Sequence, residues 1–131
     1  MLKVLYIDDD ETNHDIAHRI LNRAPFAMSI SHAGDAATGI SAARDLLPDL
    51  ILMDFHMPGM SGADAVRELR DLDVLSHTKF IAVTADIYSR EEFEAAGCDH
   101  YLTKPVRKNK LLQAIYEVFP ELSQDEGRAT H

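Results

Sequence analysis

At 131 residues the chain has the length of one domain with a single sizeable core, and its 46% hydrophobic and 27% charged residues are an ordinary globular balance. A formal net charge of −9 argues against nonspecific binding to nucleic acid or to an anionic membrane, which leaves proteins and cations as the expected partners. The lone cysteine, Cys98, excludes an internal disulfide and a cysteine-cluster metal site, and the N-terminal apolar run stops at Asp8, too short for a signal-peptide core or a membrane span; a cytoplasmic location is expected.

Residues 3 to 7, Lys3-Val4-Leu5-Tyr6-Ile7, are β-branched and aromatic enough for a first strand, which ends at Asp8-Asp9-Asp10. Thr12 and Asp15 resemble a capping box for a first helix with Ile16, Ala17, Ile20, Leu21 and Ala24 on its inner face, ended by Pro25. Asp10 reads as a surface acid or one that supports its neighbours Asp8 and Asp9. His14 and His18, four apart but without a third ligand, read as surface residues too.

Phe26 to His32 suggests a second strand. A helix over about Asp35 to Leu46 follows, with Ala36, Ala37, Ile40 and Ala43 inward. Pro48-Asp49 closes it. Leu50-Ile51-Leu52-Met53 is a continuous apolar run of the kind a strand covered on both faces requires, and it runs straight into Asp54. Beyond Asp54, Phe55 and His56 lead to Pro58, Gly59 and Gly62, which fix or free the backbone before a third helix over 62 to 70.

Residues 71 to 79 read as a polar connection. Phe80 to Val83 is a fourth strand ending in Thr84, and Ser89 with Glu92 resembles a second capping box for a short helix that Gly97 terminates. Tyr101-Leu102 is the last strand, before Thr103-Lys104-Pro105. Leu111, Leu112, Ile115, Val118 and Phe119 stripe a final helix ending near Pro120. Residues 1 to 121 form the expected domain, and 122 to 131 are expected to be a disordered tail.

Five strand-helix units with right-handed crossovers predict an α/β fold, a parallel five-stranded sheet covered by helices on both faces. In such sheets ligands bind outside the carboxyl ends of the strands. Asp8, Asp9, Asp54, Thr84 and Lys104 all sit at that end, and in the strand order 2-1-3-4-5 the acids of strands one and three meet across the crevice. Carboxylates that close repel one another, so one must take a proton or the group must take a cation. An all-oxygen set suits Mg²⁺ better than zinc, and a bound divalent ion would keep Asp54 ionised and nucleophilic. The Thr84 hydroxyl and the Lys104 ammonium are what an incoming phosphoryl group needs.

Ile7-Asp8-Asp9, Leu52-Met53-Asp54, Met57-Pro58-Gly59-Met60-Ser61-Gly62, Val83-Thr84-Ala85 and Tyr101-Leu102-Thr103-Lys104-Pro105 together resemble the receiver domain of two-component response regulators, over roughly residues 3 to 119. The resemblance implies a flavodoxin-like (βα)5 three-layer sandwich. It implies that Asp54 accepts a phosphoryl group from a phosphohistidine of a histidine kinase or histidine phosphotransfer protein, with Mg²⁺, or Mn²⁺ in its place. Asp9 would bind the metal directly, Asp8 mainly through water, and Asp54 and the backbone carbonyl of His56 would complete the protein's ligands. Thr84 would bond the phosphoryl oxygen, Lys104 would pair with it, and Tyr101 would be the switch aromatic. Output would pass through about Ser89 to Phe119 to a downstream protein target.

Ser61 stands where an acid or asparagine is common, which bears on the cap of the third helix. The His56 side chain would face the attacking water. With no room after Phe119 for an output domain, a single-domain regulator is expected, a monomer or weak dimer without direct nucleic-acid contact or membrane insertion. It would be a phosphoacceptor switch rather than an enzyme, promoting only its own phosphorylation and slow dephosphorylation. A receiver excised from a hybrid histidine kinase would read the same. An aspartyl-phosphate phosphatase would need an acid where His56 stands, and a flavin carrier would meet repulsion from the Asp-rich first loop.

Overall fold

The structure is a computed structural model and describes residues 1–122. The tail expected from 122 onward lies outside the described residues except for Leu122, which is half-buried and packs on the core. Five strands, β1 (Leu2–Ile7), β2 (Met28–Ala33), β3 (Leu50–Met53), β4 (Lys79–Thr84) and β5 (His100–Thr103), form one parallel sheet in the order β2-β1-β3-β4-β5. The expected order is therefore present. So is the flavodoxin-like three-layer arrangement.

The layers follow from the period of two along each strand. Leu5, Ile7, Ile51, Met53, Phe80 and Ala82 face one side, where they meet Ala36, Ile40 and Ala43 of α2 (Ala36–Leu46), Val66 and Leu69 of α3 (Gly62–Arg70) and Phe93 and Ala96 of α4 (Arg90–Ala96). Val4, Tyr6, Leu50, Leu52, Ile81 and Val83 face the other. There they meet Ala17 and Leu21 of α1 (Glu11–Asn22) and Leu111, Ala114 and Ile115 of α5 (Lys108–Val118). All four residues of β3 are buried, as a central strand covered on both faces demands.

The helix starts correct two expectations. Asp10, exposed as expected, is the cap of α1 in place of Thr12: its backbone is extended and its carboxylate accepts the Thr12 N–H at 2.9 Å. Thr12 instead lies inside the first turn. Ser89 is not a side-chain cap either; a 3-10 turn over Ile87–Ser89 runs straight into α4, and the Ser89 hydroxyl donates to the Asp86 carbonyl at 2.7 Å. Asp35 caps α2 and Ser61 caps α3. Within the expected polar connection, Asp73–Leu75 forms a 3-10 turn that buries Leu75.

Candidate functional site

β1 and β3 are neighbours, with Ile7 opposite Met53, so the loops that follow them open side by side. This is where the winding of the sheet reverses, and it brings Asp8 and Asp9 to Asp54. Oxygens of the three carboxylates lie within 4.8 Å of one another. Asp8 is fully buried and Asp54 is 5% exposed, whereas Asp9 is exposed.

Lys104 reaches in from the loop after β5. Its Nζ lies 2.9 Å from Asp8 Oδ2 and 3.1 Å from Asp54 Oδ2, with only 16% of the side chain exposed. Burial alone would lower the pKa of this ammonium, but the hydrogen bonds and charges of Asp8 and Asp54 outweigh it and hold the group above the ordinary lysine value. On the Asp54 carboxyl, burial and then the Asp8 charge outweigh Lys104 and raise the pKa above the aspartate range. One lysine thus does not neutralise the cluster. Among the described residues the Asp9 carboxylate has no hydrogen-bond or ion-pair partner, which leaves the acids short of positive charge on their open side.

Asp54 is held by its own loop. Its Oδ1 accepts the Phe55 N–H at 2.8 Å, its N–H donates to Ile7 O at 3.0 Å, and Gly62 N–H closes the loop on Phe55 O at 2.8 Å. Thr84 ends β4, buried, and its Oγ1 accepts the Asp86 N–H at 3.1 Å. The backbone of Lys104 is tied to that strand by a bond from its N–H to Thr84 O at 3.0 Å, and the Lys104–Pro105 peptide is cis.

Tyr101 on β5 is half-buried. Its hydroxyl donates to Asp86 O at 2.6 Å, and its ring edge meets Phe93. His56 is exposed, with ring Nε2 2.7 Å from Asp86 Oδ2. Asp86, absent from the sequence expectations, therefore joins Thr84, Tyr101 and His56. Within the expected partner region, His100 on β5 hydrogen-bonds Glu117 on α5.

Two further residues behind the cluster were missed. The hydroxyl of fully buried Tyr6 donates to Asp8 Oδ2 at 3.0 Å, and Asn13 Nδ2 donates to the same oxygen at 3.2 Å. Burial, then the Asp8 charge, pushes the Tyr6 phenol above its ordinary range, so it stays a donor. The available signal was spacing: Tyr6 is two residues before Asp8, hence on the same face of β1. His14, expected at the surface, is 5% exposed, edge-on to Tyr6 and stacked on His32.

A parallel sheet that gathers acids and a lysine at its switch point defines a class, and the comparison with known families agrees. The model of the response regulator receiver domain matches residues 4–116, and the chain belongs to this family. It is a receiver domain of the two-component response-regulator type; such domains are phosphoacceptor switches.

Among curated relatives, the polar-differentiation response regulator DivK of Brucella anthropi is 31% identical over 114 residues, covering 86% of this chain and 91% of that protein. Among solved structures, the chemotaxis protein CheY4 of Vibrio cholerae superposes with a TM-score of 0.81 at 26% identity, covering 90% of this chain and 98% of that one. The receiver domain of the sensor histidine kinase PA1611 from Pseudomonas aeruginosa gives 0.79 at 25% identity, covering 88% and 95%; that structure has a magnesium ion coordinated in its active site cleft. No helix among the described residues is long and apolar enough to cross a membrane.

Proposed function

We propose that Asp54 is the phosphoacceptor of a phosphorelay, taking its phosphoryl group from a phosphohistidine on a histidine kinase or histidine phosphotransfer protein. The observation that carries this is the Lys104 ammonium between the Asp8 and Asp54 carboxylates, 2.9 and 3.1 Å away, at the carboxyl ends of the strands. A carboxylate oxygen of Asp54 attacks phosphorus as the bond to the imidazole nitrogen breaks, and the electron pair leaves on the ring. Lys104, already beside Asp54, pairs with an oxygen of the added group, and the Thr84 hydroxyl donates to another.

The donor set fits Mg²⁺. Three carboxylates offer oxygens within one ion's reach, and the unpartnered Asp9 is the most open of them. Asp9 and Asp54 would be direct ligands with the His56 carbonyl, Asp8 would act mainly through water, and Mn²⁺ would substitute. When bound, the ion would neutralise charge on the phosphoryl oxygens.

Tyr101 and Thr84 both bond Asp86, which supports a linked movement of the two when the site gains a phosphoryl group. The surface from Ser89 to Phe119 would carry that change to a downstream protein target, with the protein acting in the cytoplasm as a monomer or weak dimer. In this reading the chain is a switch that catalyses only its own phosphorylation and slow dephosphorylation. His56, held by Asp86 at the mouth of the site, would set the lifetime of the phosphorylated state.

The test is labelling by acetyl phosphate. Stoichiometric, Mg²⁺-dependent, hydroxylamine-sensitive incorporation is expected in the wild type and none in Asp54→Asn. Labelling that survives in Asp54→Asn defeats the assignment.

A further inference from the structure

Asp8 is the most heavily bonded acid of the cluster, and its partners are unequal. Its Oδ2 receives three donors: the Tyr6 hydroxyl at 3.0 Å, Asn13 Nδ2 at 3.2 Å and Lys104 Nζ at 2.9 Å. Its Oδ1 receives one, the Asp10 N–H at 2.9 Å. A carboxylate oxygen has about two lone pairs to offer, so Oδ2 is fully engaged and Oδ1 keeps the one open position.

Of the three donors on Oδ2, Lys104 sits on a long flexible stem and is the group expected to turn toward a phosphoryl oxygen. Asn13 is only partly buried. Tyr6 alone is fixed on every side: it is 0% exposed, lies in the middle of the sheet between His32 and Leu52, and meets the edge of His14 with ring centroids 5.1 Å apart. Its two side-chain torsions leave the hydroxyl little freedom to follow a moving carboxylate.

From this geometry we infer that Tyr6 is a positioning residue of the metal site, holding Asp8 Oδ2 from behind so that Oδ1 is the oxygen that keeps a position open for an ion. The inference rests on the Mg²⁺ reading above. It assigns a role to a core tyrosine that would otherwise be packing alone. Groups behind a ligand that orient it govern metal affinity as well as activity. With Tyr6 in place Asp8 cannot offer both oxygens to an ion, which suits a ligand acting through water.

The experiment is Mg²⁺ titration by calorimetry on the full chain. Tyr6→Phe keeps the ring against His14 and removes one oxygen atom, so simple packing predicts an unchanged dissociation constant. The positioning role predicts a constant weaker by about tenfold. It also predicts that the effect vanishes on an Asp8→Asn background, because Tyr6 acts through Asp8.

A Tyr6→Phe constant within twofold of the wild type, or an undiminished effect in Asp8→Asn, overturns the assignment of Tyr6. Wild-type protein that takes up no Mg²⁺ overturns both this and the reading of the site. Where Tyr6→Phe fails to fold, 3-fluorotyrosine at position 6 supplies the readout. Its fluorine resonance is expected to shift along the Mg²⁺ binding curve, and a resonance that stays still overturns the role.

Discussion

A buried imidazole gives the domain one group expected to respond to mild acid. His14 is 5% exposed, and neither ring nitrogen has a hydrogen-bond partner among the described residues. Burial first, then the charge on His32, holds its pKa below the ordinary value, against the opposing charges of Asp8, Glu11 and Asp10. A histidine lowered on folding binds its proton more readily in the unfolded chain, so its contribution is present above the unfolded pKa of about 6.5 and is lost as pH falls through it.

We expect wild-type stability in urea melts to drop between pH 7 and 5, and His14→Phe to have a shallower slope over that interval. Equal slopes would show that His14 does not govern it. The capping carboxylate of Asp35, held low by hydrogen bonds from Thr38, acts in a more acidic window. The sequence points His14 to the surface because it and His18 have no third ligand and polar residues default to the outside. Its spacing with Ala17 and Leu21, three and then four residues on, already marked the buried stripe.

At the scale of elements, the approach of α3 to the Asp54 loop depends on the absence of one atom. A Cβ built on Gly62 would lie 1.8 Å from the Asp54 carbonyl oxygen, a backbone atom that cannot step aside. Gly62→Ala must push α3 away and break the Gly62 N–H bond to Phe55 O. The expected outcome is a loss of about 1 to 3 kcal/mol in urea melts together with slower acetyl phosphate labelling of Asp54. Wild-type values in both assays would refute the close approach.

Most elements were legible from periodicity, but their beginnings were less so. Asp10 and Thr12 could both cap α1, and only the extended backbone at Asp10 decides between them. At Ser89 the preceding turn is already helical, so its hydroxyl turns back to Asp86 and leaves the first turn of α4 uncapped.

For the molecule as a whole, the acids at the end of the sheet oppose one another. A cation that binds only the folded form stabilises it by mass action, by about 2.7 kcal/mol when free Mg²⁺ reaches a hundred times its dissociation constant. Thermal melts are therefore expected to shift upward with MgCl2 and to return with a chelator, and Asp9→Asn is expected to blunt the shift. A melting temperature indifferent to Mg²⁺ would sink the metal reading.

The order of strands and helices, the parallel sheet and the end of it where Asp8, Asp9, Asp54, Thr84 and Lys104 gather could all be read from the chain alone. A strand covered on both faces must be apolar throughout, and turn residues mark where each one stops. Tertiary structure alone decided that Tyr6, Asn13 and Lys104 share one oxygen of Asp8, that the His14 ring stacks on His32, and that Asp86 gathers His56, Thr84 and Tyr101. Most of those contacts join side chains from separate elements, 30 residues apart for His56 and Asp86. Such partners depend on how packed elements sit against each other in space, which no local period encodes.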